Sequence, residues 1–229
     1  MISGVFGLSS CFLSALEPAA AEALRTAGRV RGFRVGEVLF REGDHTRDVL
    51  LLTGGQVKVW SAAPNGREAI FGIYGPGDLL GEMAGLGNSS RSATATALSE
   101  AAGRSLSGAE FDTFLRTYPS AALAVNQMIA GRLRKANQRN VEFAAYSVQT
   151  RLAVLIVELA DRFGQADPGG CRVRVPLSQQ DLAALVGSVP DTVARALRGL
   201  VVAGLLETGR RQLTVVDLDR LRVMASGVE

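Results

Sequence analysis

Two opposite charges, Glu82 and Arg91, border a stretch of this chain that is emptied of large side chains. Within residues 77–97, GDLLGEMAGLGNSSRSATATA, they lie nine positions apart, and nearly everything between them is Gly, Ala, Ser or Asn. Small side chains let backbone N–H groups approach closely and line a concavity that suits an anion. Arg91 would add a planar fork of donors for a phosphate. Glu82 cannot bind phosphate, but it can accept hydrogen bonds from sugar hydroxyls, as acidic residues do at other nucleotide sites. The pair therefore describes a phosphate and a hydroxyl-bearing ring held side by side, as in a nucleotide. A surface loop with a weak Glu–Arg ion pair would show the same spacing.

A second constellation lies in residues 177–216, LSQQDLAALVGSVPDTVARALRGLVVAGLLETGRRQLTVV. Ser178 can cap a helix whose third residue is Asp181, a variant of the capping box. Leu182, Ala183, Leu185 and Val186 give that helix an apolar side, and Gly187 stops it. Pro190 suits the first turn of a second helix, where its missing N–H had no partner. The spacing predicts Val193, Ala194, Leu197 and Val201 inward, with Arg195 and Arg198 on the other side. Two short helices joined by a Gly-containing turn make a helix-turn-helix, and ETGRRQLTVV supplies a hairpin wing. The second helix of such a unit enters the DNA major groove. Arginine suits guanine there, because its fork matches O6 and N7 together. Arg195 is the candidate base reader, and Arg198, Arg210 and Arg211 are candidate phosphate contacts. Solvated arginines on an ordinary helical hairpin are the alternative.

The elements that must position these residues are legible between turn signals. From about residue 30 to 107 short strands alternate with Gly-rich turns (GEVLF, DVLLLTGG, VKVW, SATATA), the pattern of an antiparallel barrel or sandwich. Asn65-Gly66 is a tight-turn pair. Residues 12–28 and 108–118 read as flanking helices. Pro119 then opens a long helix, along which Ala122, Asn126, Ile129, Leu133, Ala136, Asn140 and Phe143 form a seam spaced alternately four and three. That spacing fits a two-stranded coiled coil whose asparagines fix register; an amphipathic helix packed on its own barrel is the other reading. The pattern loosens at Tyr146–Ser147, a helix follows over Thr150–Phe163, and GQADPGG reads as a loop.

Composition narrows the function classes. The 229 residues are 47% hydrophobic, enough for real cores in one or two domains. No run of 18 apolar residues suggests a membrane helix. The first residues, MISGVFGLSSCFLSA, lack the basic start of a signal peptide, so a cytoplasmic protein is expected. Two distant cysteines, Cys11 and Cys171, do not make a disulfide framework, and the single His45 cannot furnish a metal-dependent barrel enzyme with its ligands, so no metal is expected. Residues 131–229 carry 14 basic against 10 acidic side chains, whereas residues 1–130 carry 11 against 12, so a polyanion would be met in the C-terminal part.

Taken together, GDLLGEMAGL…RSATATA, the long helix and LSQQDLAALVGSVPDTVARAL resemble the cyclic-AMP receptor protein/FNR family of bacterial transcription regulators over essentially the whole length. The resemblance implies an α+β chain. Residues 1–118 would form a cupin-like antiparallel β-barrel that binds an effector, 119–146 a dimerisation helix, and 147–229 a winged helix-turn-helix for DNA. It makes Gly81, Glu82, Met83, Arg91 and Ser92 the ligand cassette, with Glu82 on the ribose hydroxyl and Arg91 with Ser92 on the cyclic phosphate. Arg132 would support Glu82. Ser178, Gln179, Gln180, Asp191 and Thr192 join the arginines at the DNA. The implied protein is not an enzyme. It is a homodimer on a palindromic operator, answers to cyclic AMP, and can meet RNA polymerase.

Three departures qualify the carry-over. Where cyclic-AMP-responsive members present a Thr followed by Ser or Asn to the purine, this chain has Ala136-Asn137, so one hydroxyl is missing and Asn137 stands alone. Cyclic GMP, another nucleotide, or activity without a ligand therefore remain alternatives to cyclic AMP. In the reading helix the usual Ser-Arg-Glu-Thr-Val is replaced by Val189-Pro190-Asp191-Thr192-Val193, which predicts an altered operator. The cysteine cluster of iron–sulfur members is absent. A nucleotide-binding regulatory subunit without DNA-binding activity would share the barrel but leave residues 177–216 unexplained.

Overall fold

A run such as VLLL at residues 49–52 lacks the alternation of a strand with one wet face. In the computed structural model, which describes residues 11–87 and 89–227, all four side chains are buried. A 3₁₀ turn (Phe12–Ala15) and α1 (Pro18–Thr26) lead into β1 (Arg29–Phe33), β2 (Val38–Phe40), β3 (Val49–Gly54), β4 (Val57–Ala62), β5 (Glu68–Tyr74) and β6 (Leu79–Leu80). A short α2 (Glu82–Leu86) precedes β7 (Thr94–Ala97) and β8 (Ala101–Leu106), followed by α3 (Gly108–Thr117) and α4 (Pro119–Ala145). The strands form two four-stranded sheets, β1-β8-β3-β6 and β2-β7-β4-β5, with antiparallel pairing at β1–β8, β8–β3, β3–β6, β2–β7 and β7–β4.

Successive residues of a strand face opposite ways, and β3 shows what that does here. Leu50 and Leu52 point between the sheets with Phe33, Val57, Leu80, Ala95, Ala97 and Ala101. Val49 and Leu51 point outward and join Phe12, Leu24, Leu79, Leu106, Phe111, Phe114 and Val125 in a second core under the helices. One central strand thus carries both cores. Truncating Leu51 to Ala would open a cavity beneath the helices at a cost of about 2–5 kcal/mol.

The helices obey local rules. Ser107 accepts from the Glu110 N–H, and Glu110 accepts from the Ser107 N–H at 2.7 Å, closing a capping box at the head of α3. Hydrogen bonds from the Ser107 backbone and hydroxyl hold the Glu110 carboxyl below its ordinary value. Helix α4 buries Ala121, Ala124 and Val125 against the outer core. Its seam faces elsewhere: Asn126, Leu133, Ala136, Asn140 and Phe143 are exposed, and Ala122 and Ile129 half-buried. The face that packs on the barrel and the seam are therefore largely distinct.

Beyond α4 come α5 (Val148–Phe163), β9 (Gly164–Asp167), β10 (Gly170–Val173), α6 (Gln179–Val186), α7 (Pro190–Val202), β11 (Leu206–Gly209), β12 (Gln212–Val215) and α8 (Leu218–Ala225). The strands order β11-β12-β10-β9. GQADPGG, expected as a loop, is instead most of a hairpin, with Asp167 paired to Gly170. Its strands have little intrinsic β preference; β10 forms because β12 offers it a ladder, Cys171 opposite Val215, and β9 adds at the edge. The described residues divide into two compact units, 11–62 with 70–135, and 63–69 with 136–227.

Candidate functional site

In the first unit the cassette is organised around two buried charges. Gly81 adopts φ +82°, and a Cβ on it would stand 2.2 Å from Arg91 Nη1, so only glycine allows both the turn and the arginine. The turn delivers Glu82 as the first residue of α2, where it is 3% exposed. Arg132 Nη1 donates to Glu82 Oε1 at 2.5 Å, and its Nη2 donates to the Leu79 carbonyl at 2.6 Å. The Arg132 guanidinium also lies 4.8 Å from the Tyr74 ring centroid. Burial works against its charge, but Tyr74 and the Glu82 carboxylate more than offset this and hold its pKa above the ordinary value.

Arg91 is likewise buried and donates to three acceptors of the protein. Its Nε reaches Thr46 Oγ1 at 3.1 Å, Nη1 the Gly81 carbonyl at 3.0 Å, and Nη2 the Asp48 carbonyl at 2.6 Å. The Phe40 ring centroid lies 4.3 Å from its guanidinium carbon. Burial lowers its pKa, opposed by Asp48, Asp44 and Glu82. A guanidinium has five N–H groups, so one on each terminal nitrogen has no acceptor among the described residues and can take an incoming anion. Beside it Ser92, exposed, donates to Met83 Sδ at 3.6 Å. The fold thus brings Gly81, Glu82, Met83, Arg91, Ser92 and Arg132 together. Asn137 stands exposed on α4, in the other unit. Sequence reasoning missed Phe40, Thr46 and Tyr74, and the carbonyls of Asp48 and Leu79. Nothing local marks them, since each meets its arginine across several strands or helices, 43 or more positions away in the chain.

In the second unit the helix-turn-helix is built from caps. Ser178 accepts from the Asp181 N–H at 3.1 Å, and Asp181 accepts from the Ser178 N–H at 3.0 Å. Helix α6 ends at Gly187 in the left-handed region, and Pro190 opens α7. The buried stripe of α7 is Val193, Ala196, Leu197 and Leu200. This corrects the expected one: Ala194 is half-buried and Val201 is exposed. Both stripes have helical spacing, and packing of α7 on α5 and α6 selects between them.

The side chains proposed for DNA are disposed as follows. Gln179 and Gln180 are exposed in the first turn of α6, and Ser178 is half-buried in its cap. On α7, Asp191, Arg195 and Arg198 are exposed; Arg195 Nη2 donates to the half-buried Thr192 Oγ1 at 3.2 Å. Gly209 pairs with Gln212, which leaves Arg210 and Arg211 as the two turn residues of the wing. Arg211 takes φ 54°, unusual for a residue with a side chain.

Elsewhere His45 is exposed and both cysteines are free. Burial, then Asp161, raises the Cys171 thiol. Among the described residues no group of three or more His, Cys, Asp or Glu could hold a metal ion, and no helix is long and apolar enough to cross a membrane.

Comparison with known proteins points the same way as the geometry. A family model of a cyclic nucleotide-binding domain matches residues 30–118, and one of a Crp-like helix-turn-helix domain matches residues 150–224. A CRP-like cAMP-activated global transcriptional regulator of Mycobacterium tuberculosis is 29% identical over 206 residues, covering 90% of this chain and 92% of that protein. The structure of FixK2 from Bradyrhizobium japonicum has the same fold, with a TM-score of 0.77 at 23% identity over 89% of this chain and all of that one. A CRP-family transcriptional regulator from Thermus thermophilus gives a TM-score of 0.72 at 26% identity, covering 86% of this chain and 96% of that one.

Proposed function

The chain belongs to the cyclic-AMP receptor protein/FNR family of transcription regulators, which are not enzymes, and from that premise we propose that it is a cytoplasmic homodimer controlled by a cyclic nucleotide, cyclic AMP in the first place. The observation that carries this reading is the buried Glu82 paired with the half-buried Arg132, set beside an Arg91 that keeps two N–H groups free of the described residues. A ribose hydroxyl would donate to Glu82, and a cyclic phosphate would take the free donors of Arg91 and the Ser92 hydroxyl, next to Gly81 and Met83. Because Arg132 belongs to α4, anything that alters Glu82 is felt directly on the long helix.

In this scheme residues 1–118 sense, 119–146 dimerise through the exposed seam of α4, and 147–229 read DNA. A two-fold dimer selects a palindromic operator with half-sites about 34–36 Å apart, and RNA polymerase is the protein partner at promoters. Arg195 with Asp191 and Thr192 faces the bases. Ser178, Gln179, Gln180, Arg198, Arg210 and Arg211 meet the backbone. An effector moves the dimer from mostly inactive to mostly active only if it binds the active state more tightly by roughly 5.5 kcal/mol.

A second reading, an effector other than cyclic AMP or none, is favoured by one observation: Ala136 removes a hydroxyl from the pair that would meet the purine. Calorimetric titration of the purified dimer with cyclic AMP and cyclic GMP separates the two. Stoichiometric binding of cyclic AMP that strengthens operator binding supports the first; silence with both nucleotides and nucleotide-independent DNA binding supports the second. Selection of sites from random DNA should yield an operator that departs from the usual family consensus where Pro190 has replaced arginine.

A further inference from the structure

The helix-turn-helix unit contains a groove that reading DNA does not require. It encloses about 480 Å³ between α6, α7 and the β11–β12 wing, within the range of small-molecule sites. Its floor is aliphatic, including Leu159, Val175, Leu182 and Leu197. Its lip at the end of α7 is Val201 with Val202, the latter 88% exposed. Every charged residue that lines it is an arginine: Arg198, Arg210 and Arg211. All three are exposed and none has an ion-pair partner among the described residues. An apolar trough crowned by uncompensated cations is complementary to one kind of molecule, an anion with an aliphatic tail.

We infer that this groove binds a medium-chain alkyl carboxylate, tail along the leucines and valines and carboxylate on the rim arginines, and that the bound carboxylate competes with DNA. Carboxylate and phosphate use the same guanidinium forks, so occupancy of the rim removes donors from the DNA backbone. By linkage DNA weakens the carboxylate as much as the carboxylate weakens DNA. The competition rests on the reading of this unit as the DNA-binding one; the binding does not. All of its lining residues belong to the second unit, so binding of the carboxylate itself requires no cyclic nucleotide.

Octanoate, decanoate and decyltrimethylammonium, each below its micellar concentration, are titrated into the full-length protein by calorimetry, and into its complex with a selected operator by fluorescence anisotropy. Decanoate is expected to bind one site per chain and to weaken operator binding at least tenfold. Octanoate should bind about tenfold more weakly than decanoate, since each buried methylene contributes roughly a factor of three to four. The cation should do neither. Val201→Trp, which fills the groove from its exposed lip, should abolish decanoate binding while operator affinity and melting temperature stay near wild type; Val223→Trp on α8 is the control. Equal binding of the two head groups, no dependence on chain length, or undiminished decanoate binding by a folded Val201→Trp overturns the site. Decanoate bound as expected with unaltered operator affinity keeps the site and overturns the competition. If the operator itself is not bound, the DNA reading fails while the calorimetric series still decides the site.

Discussion

Arg91 and Arg132 in the first unit are held by carbonyls, a hydroxyl, a carboxylate and aromatic faces, whereas Arg195, Arg198, Arg210 and Arg211 in the second stand exposed with at most one side-chain partner among the described residues. The same side chain meets anions by two strategies. A buried guanidinium loses hydration and needs several charge-assisted bonds to offset that cost. In return it is fixed before the ligand arrives and is weakly screened by salt. An exposed guanidinium keeps its hydration and its rotamers, costs the fold little, and can adapt along a polyanion, but its attraction falls steeply with ionic strength. The contrast predicts that changes in the first unit cost stability as well as ligand, and changes in the second cost DNA alone.

The largest effect that would test this is Glu82→Ala. It removes the carboxylate partner of the half-buried Arg132, a charge-assisted hydrogen bond, and should destabilise the first unit by about 3 kcal/mol. The single tryptophan, Trp60, lies in β4, so urea unfolding followed by its fluorescence reads that unit directly. A loss well under 1 kcal/mol would mean the pair is no more structural than a surface ion pair. Next comes Arg91→Gln, expected to weaken the cyclic nucleotide about 100-fold, or about 2.7 kcal/mol, with residual nucleotide-free DNA binding. Unchanged nucleotide affinity by calorimetry would remove Arg91 from the ligand. Arg195→Ala should relax discrimination at one base pair of each half-site by about 2 kcal/mol, without moving the melting temperature; loss of affinity equal on all sequences would make it a phosphate contact instead. The smallest effect sharpens the comparison most. Arg211→Gly relieves a left-handed φ and should stabilise the second unit by about 1 kcal/mol, while lowering the slope of log affinity against log salt by about one per reading unit. There stability and function should move in opposite directions.

The parts that were legible share a property: their determinants lie within one turn of each other. Ser178 with Asp181, Gly187 as a left-handed stop, and Pro190 at a helix start could each be read from the sequence because the contacts span four residues or fewer. The same rule explains the errors. The inward stripe of α7 was misplaced because Val193, Ala194, Leu197 and Val201 satisfy helical spacing about as well as Val193, Ala196, Leu197 and Leu200. Only packing on α5 and α6 distinguishes them. The β9–β10 hairpin hid in a Gly- and Pro-containing segment because β10 exists by pairing with β12, and β9 by pairing with β10, rather than by preference.

The cassette divides along the same line. Its residue types, the glycine that must turn, the carboxylate and the arginine, were determined by the sequence alone, as were the order of barrel, long helix and helix-turn-helix and the basic wing. The tertiary structure decided what those charges touch. Arg91 finds Thr46 across 45 positions, and Glu82 finds Arg132 across 50. Such meetings depend on where sheets and helices bring distant backbone together, and a hydrogen bond holds only within a few tenths of an ångström and a narrow angle. Spacing along the chain carries no information at that resolution; packing of the strands and α4 supplies it.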